Sequence, residues 1–113
     1  MLWALGALML CARNASGEQN DARYVDGNLL YQQLLRGSPG GTGYILGIND
    51  GIQLMQVHSA AADRVFCTPA GATGEELADV VRSYLEGEPA IRDLPAGILV
   101  IRALALRYPC GAI

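Results

Sequence analysis

The sequence predicts an all-α fold, a compact bundle of about four short helices closed by one disulfide. Four segments carry apolar residues at helical spacings, and no strand-length alternating run with hairpin chemistry lies between them. Removing a predicted export segment leaves an even pair of cysteines. The chain has 113 residues, of which 51% are hydrophobic, so it has room for one small domain and is not a disordered tail.

An uncharged apolar run, residues 2–12, opens the chain. It is too short to span a bilayer, which takes about 20 residues, but it fits the core of a secretory signal. Small residues at Ala15 and Gly17 favour cleavage after Gly17. We therefore expect a signal peptide over 1–17, a single domain over 18–113, and no membrane attachment after cleavage. A buried first helix and a lipid anchor at Cys11 are the alternatives.

Charge and cysteine content restrict the possible partners. The predicted mature chain has seven Arg against eleven acidic residues, a net charge of -4, which disfavours nucleic-acid binding. Its two cysteines, Cys67 and Cys110, are expected to pair in an oxidising compartment. Such a long closed loop contributes about 4 kcal/mol in the chain-entropy model. Two cysteines and one histidine, His58, are too few for a structural zinc site, so neither metal nor cofactor is expected.

The first helix is predicted over Asn28–Arg36, with leucines on one face, Gly37 as its stop and Asp26 or Asn28 as its cap. Residues 37–41 are typical of a loop. The second helix is predicted over Gly43–Ala62. The residues expected to face the core are Ile45, Ile48, Ile52 and Met55.

Three glycines recur every fourth residue along this second helix: Gly43, Gly47 and Gly51. Each costs roughly 1 kcal/mol of helix propensity relative to Ala. The row predicts the close approach of a helix from this chain or from another subunit.

The third helix begins with a capping-box pattern at Thr73–Glu76 and ends at Gly87 and Pro89. The last helix is predicted to use Asp93 as its cap and Pro95 in its first turn. Pro109 would stop it. The residues of this last helix expected to face the core are Ile98, Ile101, Ala105 and Tyr108.

Enzyme signatures are missing from the sequence. It has no nucleotide-binding loop, no HExxH and no GxSxG. Asp50 and His58 have no specified catalytic partner. We therefore expect a binding protein rather than an enzyme.

The segment Gly43–Gly51 resembles the GYILGxxDG motif of the Tai family, the immunity proteins for type VI secretion amidase effectors. The resemblance continues through Phe66–Pro69, Tyr84–Leu85 and Leu94–Ala96 to Tyr108–Cys110, and it covers about two thirds of the chain. It implies a homodimeric protein of the Gram-negative periplasm. Such a protein binds a cognate peptidoglycan amidase and occludes its active-site cleft.

The motif residues are expected to build the fold rather than to touch the effector: Tyr44, Gly47, Asp50, Gly51, Phe66, Pro69, Tyr84, Pro95 and Pro109. Contacts with the partner are expected from two connections, Val57–Arg64 and Gly87–Asp93, because specificity is a difference of affinities carried by variable surface loops. The candidate contact residues in or next to these connections are His58, Asp63, Arg64, Glu86, Glu88 and Arg92. The alternatives are a small periplasmic chaperone or stress protein, and an enzyme subunit completed by a partner.

Overall fold

Four α-helices make up most of residues 25–111, the part of the chain that the computed structural model describes. They are α1 (Gly27–Leu35), α2 (Pro39–Met55), α3 (Gly74–Gly87) and α4 (Ala96–Arg107). Short 3₁₀ turns lie at Ala61–Asp63 and Pro89–Ile91. The described residues contain no β-strand, only an isolated bridge between Asp26 and Pro95. The all-α prediction is confirmed, while the predicted signal peptide, 1–17, lies outside the described residues.

Two predicted helix caps are present. The Asp26 carboxylate accepts a hydrogen bond from the Leu29 amide at 2.9 Å, at the start of α1. The Thr73 hydroxyl accepts one from the Glu76 amide at 3.1 Å, at the start of α3. Each cap satisfies a backbone donor that has no partner inside its own helix.

The predicted bounds of the second helix were wrong at both ends. Helix α2 begins at Pro39, because the Ser38 hydroxyl caps the Gly40 amide at 3.3 Å and proline suits a first-turn position. It ends at Met55 rather than Ala62. Gln56 follows as the C-cap, and its side chain is buried in contact with the connection beyond.

The predicted start and core face of the last helix also need correction. Pro95, not Asp93, is the N-cap, and the Ala96 amide donates to the Val25 carbonyl at 2.9 Å. The backbone at Val25, before α1, therefore helps to fix the start of α4. The expected face is not the buried one, since Ile98 is 45% exposed. The buried residues of α4 are Ala96, Leu99, Val100, Ala103 and Leu104.

The core combines side chains from all four helices with one from a connection. Its eleven buried members are Leu30, Ile45, Phe66, Leu77, Val81, Leu85, Ala96, Leu99, Val100, Ala103 and Leu104. The predicted Cys67–Cys110 disulfide is confirmed, with Cα atoms 5.1 Å apart. It joins the connection that holds Phe66 to the residues just after α4. Within residues 25–111, no helix has the length and apolar character needed to cross a membrane.

Candidate functional site

The two predicted contact segments lie at opposite ends of α4. The Gly87–Asp93 turn lies before the start of α4, and the Asn28 amide donates to its Arg92 carbonyl at 2.8 Å. The Val57–Arg64 connection lies near the end of α4, because the Cys67 amide, three residues beyond Arg64, donates to the Tyr108 carbonyl at 2.8 Å. A helix of 12 residues is about 18 Å long. The structure therefore brings His58, Asp63 and Arg64 together at one end, and Glu86, Glu88 and Arg92 at the other.

The segment Val57–Val65, named here the contact loop, is closed by one buried side chain. Gln56 immediately precedes the loop and is only 6% exposed. Its Oε1 accepts a hydrogen bond from the Val65 amide at 2.9 Å, and its Nε2 donates to the Phe66 carbonyl. A single amide therefore holds both ends of the loop together.

The base of the contact loop is anchored in the bundle. The Phe66 side chain is fully buried, and its neighbour Cys67 is bonded to Cys110. The Thr68 hydroxyl lies 2.7 Å from Asn49 Oδ1 of α2, to which it donates. These contacts fix where the loop leaves and re-enters the fold, so its outer side chains are presented from a firm support.

Apolar side chains are exposed where the contact loop joins α2. Leu54 is 76% exposed and Met55 83% exposed, and Val57 and Val65 are exposed as well. Beside them lies a shallow cavity of about 350 Å³, lined by Gln53, Leu54, Gln56, Val57 and Arg64. Protein interfaces derive most of their affinity from a few side chains that become buried on binding.

Polar groups border this apolar surface. Arg64, Asp63 and His58 are all exposed, and Arg64 Nε donates to the Ser59 carbonyl at 2.9 Å. That bond crosses the loop and limits the freedom of the arginine. An apolar centre with a polar rim is the arrangement found in protein–protein interfaces.

Charged side chains of the opposite end contact one another instead. The Arg92 guanidinium lies 4.5 Å from the centre of the Tyr31 ring, and the Tyr31 hydroxyl donates to Glu86 at 3.4 Å. Arg82 lies 4.0 Å from the same carboxylate. Two of the three residues predicted there thus join α3 and its following turn to α1, while Glu88, the C-cap of α3, is exposed.

The glycine row on α2 faces open space. A Cβ added to Gly43, Gly47 or Gly51 would meet no atom within 4 Å. The predicted close approach of another helix of this chain is therefore wrong for the described residues, whereas an approach by another subunit remains a prediction. Asp50 is exposed on the same helix.

The remaining motif residues have mixed environments. Tyr44 packs over α4, because a Cβ on Gly97 would lie 3.5 Å from its hydroxyl oxygen. Tyr84 is half-buried against the core, while Pro69 and Pro109 are exposed in the connections next to Cys67 and Cys110.

Sequence reasoning missed Gln56, the residue that closes the contact loop. No local pattern identifies it, because its partners are backbone groups nine and ten residues later. Residues 25–111 contain no group of three His, Cys, Asp or Glu side chains placed to hold a metal ion.

A comparison with known protein families gives a match. A family model described as Rap1a immunity proteins matches residues 8–110. No curated protein and no solved structure matches the chain.

Proposed function

The chain belongs to the Rap1a immunity protein family, and from this premise we propose that it is a periplasmic inhibitor of a type VI secreted peptidoglycan amidase. It binds its cognate effector and occludes the active-site cleft, so that self and kin cells are protected. Inhibition of this kind is steric and requires complementary surfaces rather than turnover.

The contact loop is the observation that carries this proposal. Its base is held by Gln56, Phe66 and the disulfide, while Leu54 and Val57 beside it are exposed. A loop that is already ordered loses less conformational entropy on binding than a flexible one. Its apolar side chains supply the anchors, and His58, Asp63 and Arg64 supply the polar rim.

The compartment is part of the proposal. The Cys67–Cys110 disulfide is consistent with an oxidising environment, and residues 1–17 are expected to direct export. The homodimer implied by the resemblance remains a prediction, which analytical ultracentrifugation of the purified protein tests.

A protection assay tests the proposed function directly. A neighbouring or related type VI amidase effector is directed to the periplasm with and without this protein, and lysis is followed. We expect rescue by the full chain. A Leu54→Asp/Val57→Asp variant should bind the effector about 30-fold more weakly, the loss expected for a hot spot worth about 2 kcal/mol.

Leu35→Asp is the matched control, since Leu35 is 56% exposed on α1. It should bind within about twofold of the parent. An equal loss from Leu35→Asp would contradict the assignment of the surface, and absence of rescue by the parent chain would contradict amidase immunity.

One observation favours the chaperone alternative. The outer face of α4 exposes Leu106 and Ile98, and exposed apolar surface is what a binder of unfolded clients uses. That alternative expects the protein to suppress aggregation of an unfolded client and Leu106→Asp to abolish the effect. A protein with immunity function alone leaves client aggregation unchanged.

A further inference from the structure

We propose that the Cys67–Cys110 disulfide is a redox gate for the contact loop. Reduction to two thiols releases the outer part of the loop and the residues after α4, while the four-helix core stays folded. The biological meaning of this gate rests on the proposed function. The change in loop order is a property of this chain alone and is measured without a partner.

The contact loop has two separate supports, and only one contains sulfur. On the α2 side, Gln56 bonds to the Val65 amide and the Phe66 carbonyl, and Gln53 Nε2 donates to the same carbonyl at 3.3 Å. None of these groups changes on reduction. The base of the loop therefore stays attached to α2 in both redox states.

On the α4 side the loop is held by the disulfide and by the hydrogen bond from the Cys67 amide to the Tyr108 carbonyl at 2.8 Å, and only the disulfide is lost on reduction. Cys67 is bonded to Cys110, which lies two residues beyond Tyr108, the C-cap of α4. The chain then turns at Gly111, whose φ is +66°, and a Cβ there would lie 3.4 Å from Ala61 Cβ. The residues after α4 thus pack against the 3₁₀ turn Ala61–Asp63 at the tip of the loop. Reduction removes the covalent bond that holds them there.

Neither cysteine belongs to the buried core. All eleven buried core residues are apolar side chains other than cysteine, and ten of them lie in the four helices. Cys67 and Cys110 are both half-buried at the margin of the bundle. A region attached at the margin can open at a lower free energy than the core itself.

The redox step is an ordinary two-electron thiol–disulfide exchange. A thiolate of a dithiol reductant attacks one cysteine sulfur, forms a mixed disulfide with it and releases the other cysteine as a thiolate. The second thiol of the reductant, as a thiolate, then attacks the reductant sulfur of the mixed disulfide and releases the remaining cysteine; both cysteine thiolates take up protons. Cys67 and Cys110 end as thiols, and the reductant ends as a disulfide. Because a reducing compartment keeps thiols reduced, a newly made chain would leave its effector free until it is oxidised.

Hydrogen exchange with mass spectrometry tests the gate on the full chain, with Cys11→Ser so that only the described pair can form a disulfide. The oxidised protein is compared with a Cys67→Ser/Cys110→Ser variant. We expect amide exchange over 57–67, which contains the bonded amides of Asp63, Arg64 and Cys67, to rise at least tenfold. Exchange in α3 and α4 should stay within about twofold.

Two outcomes overturn the gate. Unchanged protection over 57–67 would mean that the α2 side alone orders the loop. Simultaneous loss of protection in all helices, even in sucrose, which favours the compact state, would mean that the disulfide staples the whole domain.

A binding measurement links the gate to the proposed function. The serine variant removes the need for reductant, so the effector itself stays untreated. We expect its affinity for the amidase to fall at least tenfold. Equal affinity overturns the gate. If neither form binds but loop exchange still rises in the serine variant, the loop is redox-gated and amidase immunity is the part that fails.

Discussion

The two ends of the bundle both have a connection with polar and charged side chains, but these side chains have different environments. At the contact-loop end, a buried amide and a disulfide fix the backbone, and apolar side chains remain exposed. At the end near Gly87–Asp93, charged and aromatic side chains contact one another. The comparison teaches that the side chains of a polar connection are available to a partner only where they are not already used inside the fold.

The largest expected effect comes from truncating Phe66, the buried side chain at the base of the contact loop. Phe66→Ala should lower the free energy of unfolding by about 3–5 kcal/mol, because a fully buried aromatic side chain is lost and a cavity is left. Urea denaturation followed by circular dichroism measures it. The control is Val65→Ala at the exposed neighbour, which should cost less than about 1 kcal/mol. Similar losses would show that the base of the loop is not tightly packed.

Replacing the amide that closes the loop should have the next largest effect. Gln56→Glu keeps the shape of the side chain, but it replaces the donor to the Phe66 carbonyl with an acceptor. We expect about 2 kcal/mol of destabilisation, the cost of an unpaired buried polar group, together with faster amide exchange at Val65. Gln32→Glu, at an exposed position of α1, is the matched control. Equal melting temperatures for the two variants would contradict the role of Gln56.

A pair of glycine substitutions contrasts open and crowded backbone. Gly47→Ala should stabilise the monomer by about 1 kcal/mol, because alanine favours the helix and its Cβ meets open space. Gly27→Ala, beside the start of α4, should instead destabilise, since its Cβ would clash with Leu99 Cδ1 and lie 2.7 Å from the Arg92 carbonyl oxygen. Thermal melts and sedimentation measure both variants. Weaker self-association of Gly47→Ala would show that a second copy packs on this face.

The smallest effect is expected at the charged end. Tyr31→Phe removes the hydroxyl that donates to Glu86 at 3.4 Å but keeps the ring beside Arg92. The loss should be about 0.5 kcal/mol, at the low end for a hydrogen bond, and effector affinity should not change. A tenfold loss of affinity would place this end in the interface as well.

Much of the fold followed from local patterns. Asp26 and Thr73 were predictable caps because a capping side chain bonds to backbone within its own first turn. The buried face of α4 was not predictable, because this helix has apolar residues on more than one of its faces. Their spacing then does not show which face points to the core. The start of α2 was missed because Ser38–Gly41 has the composition of a loop, although Ser38 and Pro39 form a cap and a first turn.

The candidate site was only partly predictable. Sequence reasoning named the Val57–Arg64 connection as a candidate and predicted the disulfide, because composition and an even cysteine count are local or countable properties. It gave no reason to prefer this connection over Gly87–Asp93 as the candidate site, since that preference depends on contacts such as Arg92 with Tyr31, far apart in sequence. Gln56 was missed for the same reason.

The packing of Gly111 against Ala61 has a practical consequence for labelling. A fluorescent reporter attached close to Gly111 would lie beside Ala61 of the contact loop and would shield that loop. Val25 lies at the other end of α4, where its carbonyl accepts from the Ala96 amide. A label introduced on that side of the molecule leaves the contact loop accessible, so pull-down and imaging experiments should carry their label there.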